Sequence, residues 1–234
     1  MNQPAGILVF HQVLDDGRAD SVYEFHKNYI GEYIWPRTID EFRQLADDGC
    51  LYAVYEQSGT QPEKEVGVCY IMDGEDPSGN SRREFGGIYV ADECGGAGVT
   101  SALGVISISN YYVWDPLRQD QREAEKLVAH VHEFNPDPRG LLTRKLGFKQ
   151  SGREIPSVEA PPNMRRNANG QVVGDLFEFD RTKLLDFADW LEGFSGSVSG
   201  KKGPQRIARI DVPGVKKYLS ETLEALRDLG ASTP

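Results

Sequence analysis

The segment Cys94-Gly95-Gly96-Ala97-Gly98-Val99-Thr100 places glycines immediately before a long apolar stretch with helical spacing. Unpaired backbone N–H groups at a helix N-terminus, together with the helix dipole, form an anion site, and glycines let a phosphate approach the backbone closely. A tight turn would use the same residues, so the flanking elements must decide between the two. Glu84, six residues before Val90, is a carboxylate that could take a proton from an amine, or a solvated glutamate near a strand start. Period-two spacing puts Glu84 and Val90 on one strand face. His130 and His132 alternate on a later apolar stretch and share a face. Each could be a base or proton shuttle, or a structural histidine with both nitrogens satisfied. Cys94, at the helix entrance, could carry a lowered thiol pKa and act as a nucleophile, or be a small loop residue. The three cysteines, Cys50, Cys69 and Cys94, are far apart and lack CxxC spacing, so neither a disulfide framework nor a metal site is expected.

The elements that must position these groups follow from periodicity. Ile7 to Phe10 opens a strand, and residues 21–33 read as a helix with Val22, Phe25, Tyr29 and Tyr33 at spacings of three and four. Thr38 and Glu41 form a capping box ahead of Phe42 and Leu45. Strands are expected over 51–55, 66–72 and 83–90, the first two as an antiparallel hairpin. After the glycine loop, residues 99–112 are helical and 127–132 form a strand. That order makes the strands at 83–90 and 127–132 parallel, joined by a right-handed crossover. Tyr111 and Tyr112, at the end of the crossover helix, read as packing residues. A helix over 138–146 ends at Gly147, and strands at 148–155 and 175–179 flank a polar loop. Residues 182–191 form a short helix, 195–204 is a Ser/Gly/Lys linker by composition, and Pro213 starts a last helix with the stripe Val215, Leu219, Leu223 and Leu226. The two-domain reading is therefore 1–180 for the α/β domain and 181–234 for a helical extension.

Composition narrows the function classes. The formal net charge of −10 argues against a nucleic-acid binder and fits a cationic substrate, or simply keeps the protein soluble. No apolar run is long enough to cross a bilayer, and the first residues lack a secretory pattern. A soluble protein in a reducing, cytoplasmic setting is expected. A P-loop would need Gly-Lys-Ser/Thr, which is not present, and a dinucleotide site would place its glycines after the first strand of the domain.

The residues Ile88-Tyr89-Val90 followed by Gly96-Ala97-Gly98-Val99-Thr100-Ser101-Ala102-Leu103, and Asn135 followed by Leu141-Leu142-Thr143-Arg144-Lys145-Leu146-Gly147-Phe148, resemble the GCN5-related N-acetyltransferase (GNAT) superfamily over roughly residues 6 to 180. The resemblance implies a mixed, mainly antiparallel α/β sheet with two splayed parallel central strands flanked by helices. It implies acetyl-CoA as co-substrate, without a metal, held by Tyr89, Val90, Gly95, Gly96, Ala97, Gly98, Val99, Thr100 and Asn135. It places the catalytic base at Glu84 and sets Thr143 at the family's thiolate-protonating position, while His130 and His132 stand as catalytic candidates from their place on the strand at 127–132. The chain departs from the family pattern at Gly95, where Arg or Gln is frequent, at Thr100, where Gly or Ala is, and at Thr143, where a Tyr commonly protonates the departing thiolate. A Thr hydroxyl is a far weaker acid than a phenol.

The expected function is transfer of an acyl group from acyl-CoA to a primary amine, of a small molecule or a peptide, by direct attack. A monomer or homodimer is expected. The alternatives are a non-catalytic CoA-binding or protein-interaction module, suggested by Gly95 and Thr143, and a Cys94-dependent thiol enzyme with His130 or His132 as base. The apolar stripe of the last helix must be buried, on the chain's own domain, on a second copy, or at the mouth of the acceptor cleft.

Overall fold

The computed structural model describes residues 6–114, 126–156 and 160–231. A nine-stranded sheet organises the chain, in the order β6-β7-β5-β4-β3-β2-β1-β9-β8. The strands are β1 (Ile7–Val13), β2 (Leu51–Gln57), β3 (Lys64–Glu75), β4 (Ser81–Val90), β5 (Leu127–His132), β6 (Phe148–Glu154), β7 (Gly174–Phe179), β8 (Ser197–Val198) and β9 (Arg206–Asp211). Pairing is antiparallel except between β4 and β5 and between β1 and β9. One face carries α1 (Asp16–Lys27) and α2 (Ile39–Asp47). The other carries α3 (Val99–Trp114), α5 (Lys183–Glu192) and α7 (Leu219–Ala231), with α4 (Asp137–Arg144) beside β6 and the short α6 (Pro213–Lys217) preceding α7.

The crossover helix α3 is apolar on nearly every side, and residues 102–112 are all buried. A helix hydrophobic all round belongs in a core rather than on a surface, and here it lies between the sheet and the C-terminal helices. The capping box predicted at Thr38 and Glu41 is formed in both directions. The helix expected over 21–33 instead spans Asp16–Lys27: the Asp15 carboxylate accepts from the Arg18 N–H and fixes an earlier start. Tyr29 and Tyr33 therefore leave the helical stripe and sit in a connecting loop.

Two further expectations are corrected. The strand β4 contains a bulge, with Val68 opposite Tyr89 but Tyr70 opposite Gly86. Gly87 adopts φ +57°, a conformation that favours glycine, and a Cβ there would lie 2.2 Å from the Tyr70 ring. The extra residue inverts the alternation, so Glu84 lies on the side of Tyr89 and not on that of Val90. Val90 packs toward the α3 core, and Tyr89 packs toward the α1–α2 core. The segment 195–204 is not a free linker. It contains β8 and leads into β9, which runs parallel to β1 with Leu8 opposite Ala208 and Phe10 opposite Ile210. Leu184, Phe187, Leu191, Val198, Ala208, Val215, Leu223 and Leu226 share one buried cluster with α3 and the central strands. The last helical region breaks at Tyr218 into α6 and α7. Its stripe is covered by the chain itself, except that Leu219 stays 40% exposed.

Candidate functional site

The parallel strands β4 and β5 pair only at Arg83 with Leu127 and Glu84 with Val128. Beyond these positions they diverge, and residues 85–90 of β4 keep β3 as their partner on the other edge. A cavity of about 1320 Å³ opens through the gap. Its wall includes residues of both sheet faces: Tyr33, Arg37 and Tyr70 on the α1–α2 side, and Ala102 and Val105 on the α3 side. The cavity therefore reaches both faces of the sheet.

At one end lies the loop before α3. Gly96, Gly98, Thr100 and Ser101 line the cavity. Among the described residues, no acceptor takes the backbone N–H groups of residues 96–101. The N-terminus of this sixteen-residue helix, with Thr100 and Ser101 in the cavity wall, thus offers unpaired donors suited to phosphate. Together with the unpaired edge of β4, which offers backbone hydrogen bonds to an extended amide-bearing arm, this end matches what a CoA derivative requires.

Ionisable groups converge where β4 and β5 separate. The Glu84 carboxylate is 3.3 Å from Nδ1 of His130, across the two strands. Nε2 of His130 is 3.0 Å from the Glu154 carboxylate on β6, and Arg82 holds that carboxylate through a fork of 2.7 and 2.8 Å. Burial pushes the Glu84 carboxyl up, but the hydrogen bond and charge of His130, aided by Arg37 and Arg82, outweigh it and hold it below the ordinary carboxylate value. Burial lowers His130, yet Glu84 and Glu154 overcome that and raise it above the ordinary imidazole value. Glu84 is thus ionised at neutral pH, and its partner favours the imidazolium form. Arg37, from the α1–α2 connection, faces the same cavity beside Tyr70 and is paired with Glu41.

On the α1–α2 side of the cavity, two loops are bridged to each other. Arg165 N–H donates to the Glu32 carbonyl at 3.1 Å, and the Arg165 guanidinium donates to the Tyr33 hydroxyl at 3.0 Å. Asn163 reaches the Gly31 carbonyl at 3.3 Å. His132 is part of this bridge: Nε2 donates to the Arg165 carbonyl at 2.8 Å, and Nδ1 accepts from the Phe134 N–H at 3.2 Å.

No family model matches the sequence, and no curated protein matches it significantly. Solved structures are similar in fold. One is the NatC complex bound to Gag peptide and CoA, at 15% identity and a TM-score of 0.52, over 73% of this chain and 97% of that one. Another is Arabidopsis thaliana NAA60 in complex with acetyl-CoA, at 13% identity and a TM-score of 0.51, over 74% of this chain and 98% of that one. The fold is that of the GNAT acetyltransferases.

Within this GNAT fold, the sequence-predicted residues separate into groups. Glu84 and His130 meet at the cavity, as do Gly96, Gly98, Thr100, Asn135 and Tyr89. Ala97 and Val99 are buried in the core and Val90 packs against it, and neither these three nor Gly95 is among the residues that line the cavity. His132 lines the cavity, but both its nitrogens are engaged, which leaves it no lone pair for use as a base. Thr143 is turned away: its hydroxyl donates to the Arg139 carbonyl one helical turn earlier, and it does not line the cavity. Cys94 is buried at 1% exposure and is not in the cavity wall. Burial raises its thiol pKa against the opposing charge of Arg206, contrary to the activated nucleophile considered from sequence.

Sequence reasoning missed Arg37, Arg82 and Glu154, which are polar residues with no local signal until β4, β5 and β6 are set side by side. It also missed residues 197–202, which the cavity wall includes. Their Gly/Ser/Lys composition reads as a linker. Among the described residues, no group of three or more His, Cys, Asp and Glu is arranged to hold a metal, and no helix is long and apolar enough to cross a membrane.

Proposed function

We propose that this chain is an acyl-CoA-dependent N-acyltransferase acting on a primary amine. The observation that carries the reading is the slot between β4 and β5, with a helix N-terminus and its free N–H groups at one end and the Glu84–His130 pair at the other. When bound, acyl-CoA supplies an activated thioester carbonyl. Gly96, Gly98 and Thr100 receive its phosphates, and the free edge of β4 from Phe85 to Val90 aligns its amide arm. The amine enters from the α1–α2 side, beneath the bridge formed by Tyr33 and Arg165.

Attack by a neutral amine on the carbonyl forms the N–C bond and releases the C–S bond, with the thiol leaving. An amine arrives largely as ammonium at neutral pH, so it must lose a proton first. Glu84 accepts that proton through a water. His130 keeps Glu84 ionised and oriented, and Glu154 with Arg82 holds His130; these three are positioning residues. The acceptor is a small-molecule or peptide amine. The test is thiol release from acetyl-CoA over a panel of amines and peptides. Amine-dependent release that Glu84→Gln lowers by about 10²–10⁴-fold supports the reading. Full turnover in Glu84→Gln would move the proton acceptor elsewhere.

A further inference from the structure

The segment after β8 lies directly on the glycine loop. The N–H of Gly203 donates to the Gly96 carbonyl at 3.1 Å, and that of Lys202 reaches the same oxygen at 3.4 Å. The contact is close enough to require glycine on both sides. A Cβ on Gly200 would lie 1.9 Å from the Gly96 carbonyl oxygen, one on Gly203 would lie 2.7 Å from the Ala97 nitrogen, and one on Gly98 would lie 2.4 Å from the Ser199 carbonyl oxygen. The segment is anchored at both ends, by pairing of Ser197 and Val198 with β9 and by the parallel pairing of β9 with β1. It is therefore a strap of fixed course across the loop.

The strap uses the carbonyl of Gly96 and lies against the nitrogens of Ala97 and Gly98, while Thr100 and Ser101 in the first turn of α3 line the cavity beside it. It brings Ser199, Gly200, Lys201 and Lys202 into the cavity wall beside Gly96 and Gly98. The loop and the first turn of α3 carry no basic side chain. Of the other cations lining the cavity, Arg37 and Arg82 are committed to Glu41 and Glu154, and Lys145 sits apart from the strap, at the C-terminal end of α4. Among the described residues, neither Lys201 nor Lys202 has an acidic partner, and both are exposed. Two adjacent free ammonium groups at the phosphate end stand out in a chain of net charge −10.

We propose that the strap is part of the acyl-CoA site, and that Lys201 and Lys202 hold the phosphates of the nucleotide end. The proposal rests on the acyl-CoA reading and assigns a binding role to the C-terminal extension. Backbone N–H groups alone provide partial charges, and lysine supplies the full positive charge that a pyrophosphate and ribose phosphate require.

Titration calorimetry tests this with CoA, dephospho-CoA and acetyl-pantetheine. In Lys201→Ala/Lys202→Ala, CoA affinity falls about tenfold or more, the loss is smaller for dephospho-CoA, and acetyl-pantetheine is unaffected. The Lys201→Arg/Lys202→Arg protein recovers CoA affinity, and the melting temperature is unchanged because the side chains are exposed. Gly200→Ala, which forces the strap off the loop, also weakens CoA. Unchanged or tighter CoA binding in the folded double alanine protein overturns the proposal while leaving the acyl-CoA reading intact. Failure of the unaltered protein to bind CoA removes both.

Discussion

At the residue scale, the proposed chemistry centres on two side chains from neighbouring strands. Glu84 and His130 were visible in the sequence as residue types on apolar, strand-like stretches, but their pairing was not. It depends on the register of β4 against β5, which brings Glu84 opposite Val128 and hence beside His130. The pair has a defined pH signature. Glu84 is depressed, so its contribution to stability is present above the ordinary carboxylate pKa and is lost only as pH falls through the depressed value. His130 is raised, so its contribution is complete below the ordinary imidazole pKa and is lost as pH rises through the raised value. The difference in melting temperature between the unaltered protein and His130→Gln is therefore largest from about pH 5 to pH 6 and shrinks on going alkaline. A difference that grew above pH 8 would contradict the ion pair. Thr143→Ala should leave turnover within about twofold and stability within about 0.5 kcal/mol, because its hydroxyl serves only the Arg139 carbonyl. A hundredfold loss in kcat would restore the catalytic role that the resemblance implied. The weak acid at position 143 is legible from the sequence, but which way it faces is not, because spacing fixes only its place along α4.

At the element scale, strands and helices with strong periodicity were legible, and what failed was local geometry within them. The even spacing of Glu84 and Val90 gave the wrong face because a bulge at Gly87 inserts a residue, and the Gly86-Gly87 pair that permits it looks like ordinary strand weakening. The first helix starts earlier than its apolar stripe because the Asp15 carboxylate caps it through the Arg18 N–H. In the C-terminal region, composition masked β8 and β9. The alternation in Arg206-Ile207-Ala208-Arg209 is short, and its pairing partner β1 lies some 200 residues earlier. The stripe of α7 was read correctly as needing burial. Leu226 is fully buried and Leu219 is 40% exposed, so Leu226→Ala should cost about 2–5 kcal/mol and Leu219→Ala under about 1 kcal/mol in urea unfolding. Equal, small effects would mean that α7 is not docked on α5 and α3.

At the scale of the whole molecule, the C-terminal extension is structural and also reaches the site. It completes one edge of the sheet, covers α3, and crosses the glycine loop. Removing residues 195–234 should therefore destabilise the protein by several kcal/mol, since each buried Leu or Val side chain contributes about 1.5–3 kcal/mol, and should weaken CoA binding as well. A truncated protein with an unaltered melting temperature would show the extension to be an appendage. For the same reason a bulky replacement at Gly98 does not test the loop alone, because a Cβ there also meets the strap. The central claim is that the slot between β4 and β5 transfers an acyl group to an amine. The most direct measurement is thiol release from acetyl-CoA by the full chain across an amine and peptide panel, with the acylated product confirmed by mass. Acyl transfer predicts amine-dependent release and a product heavier by one acetyl group, both suppressed about 10²–10⁴-fold in Glu84→Gln. Tight CoA binding with no amine acylated across the panel would contradict it and leave a CoA-binding module in place of an enzyme.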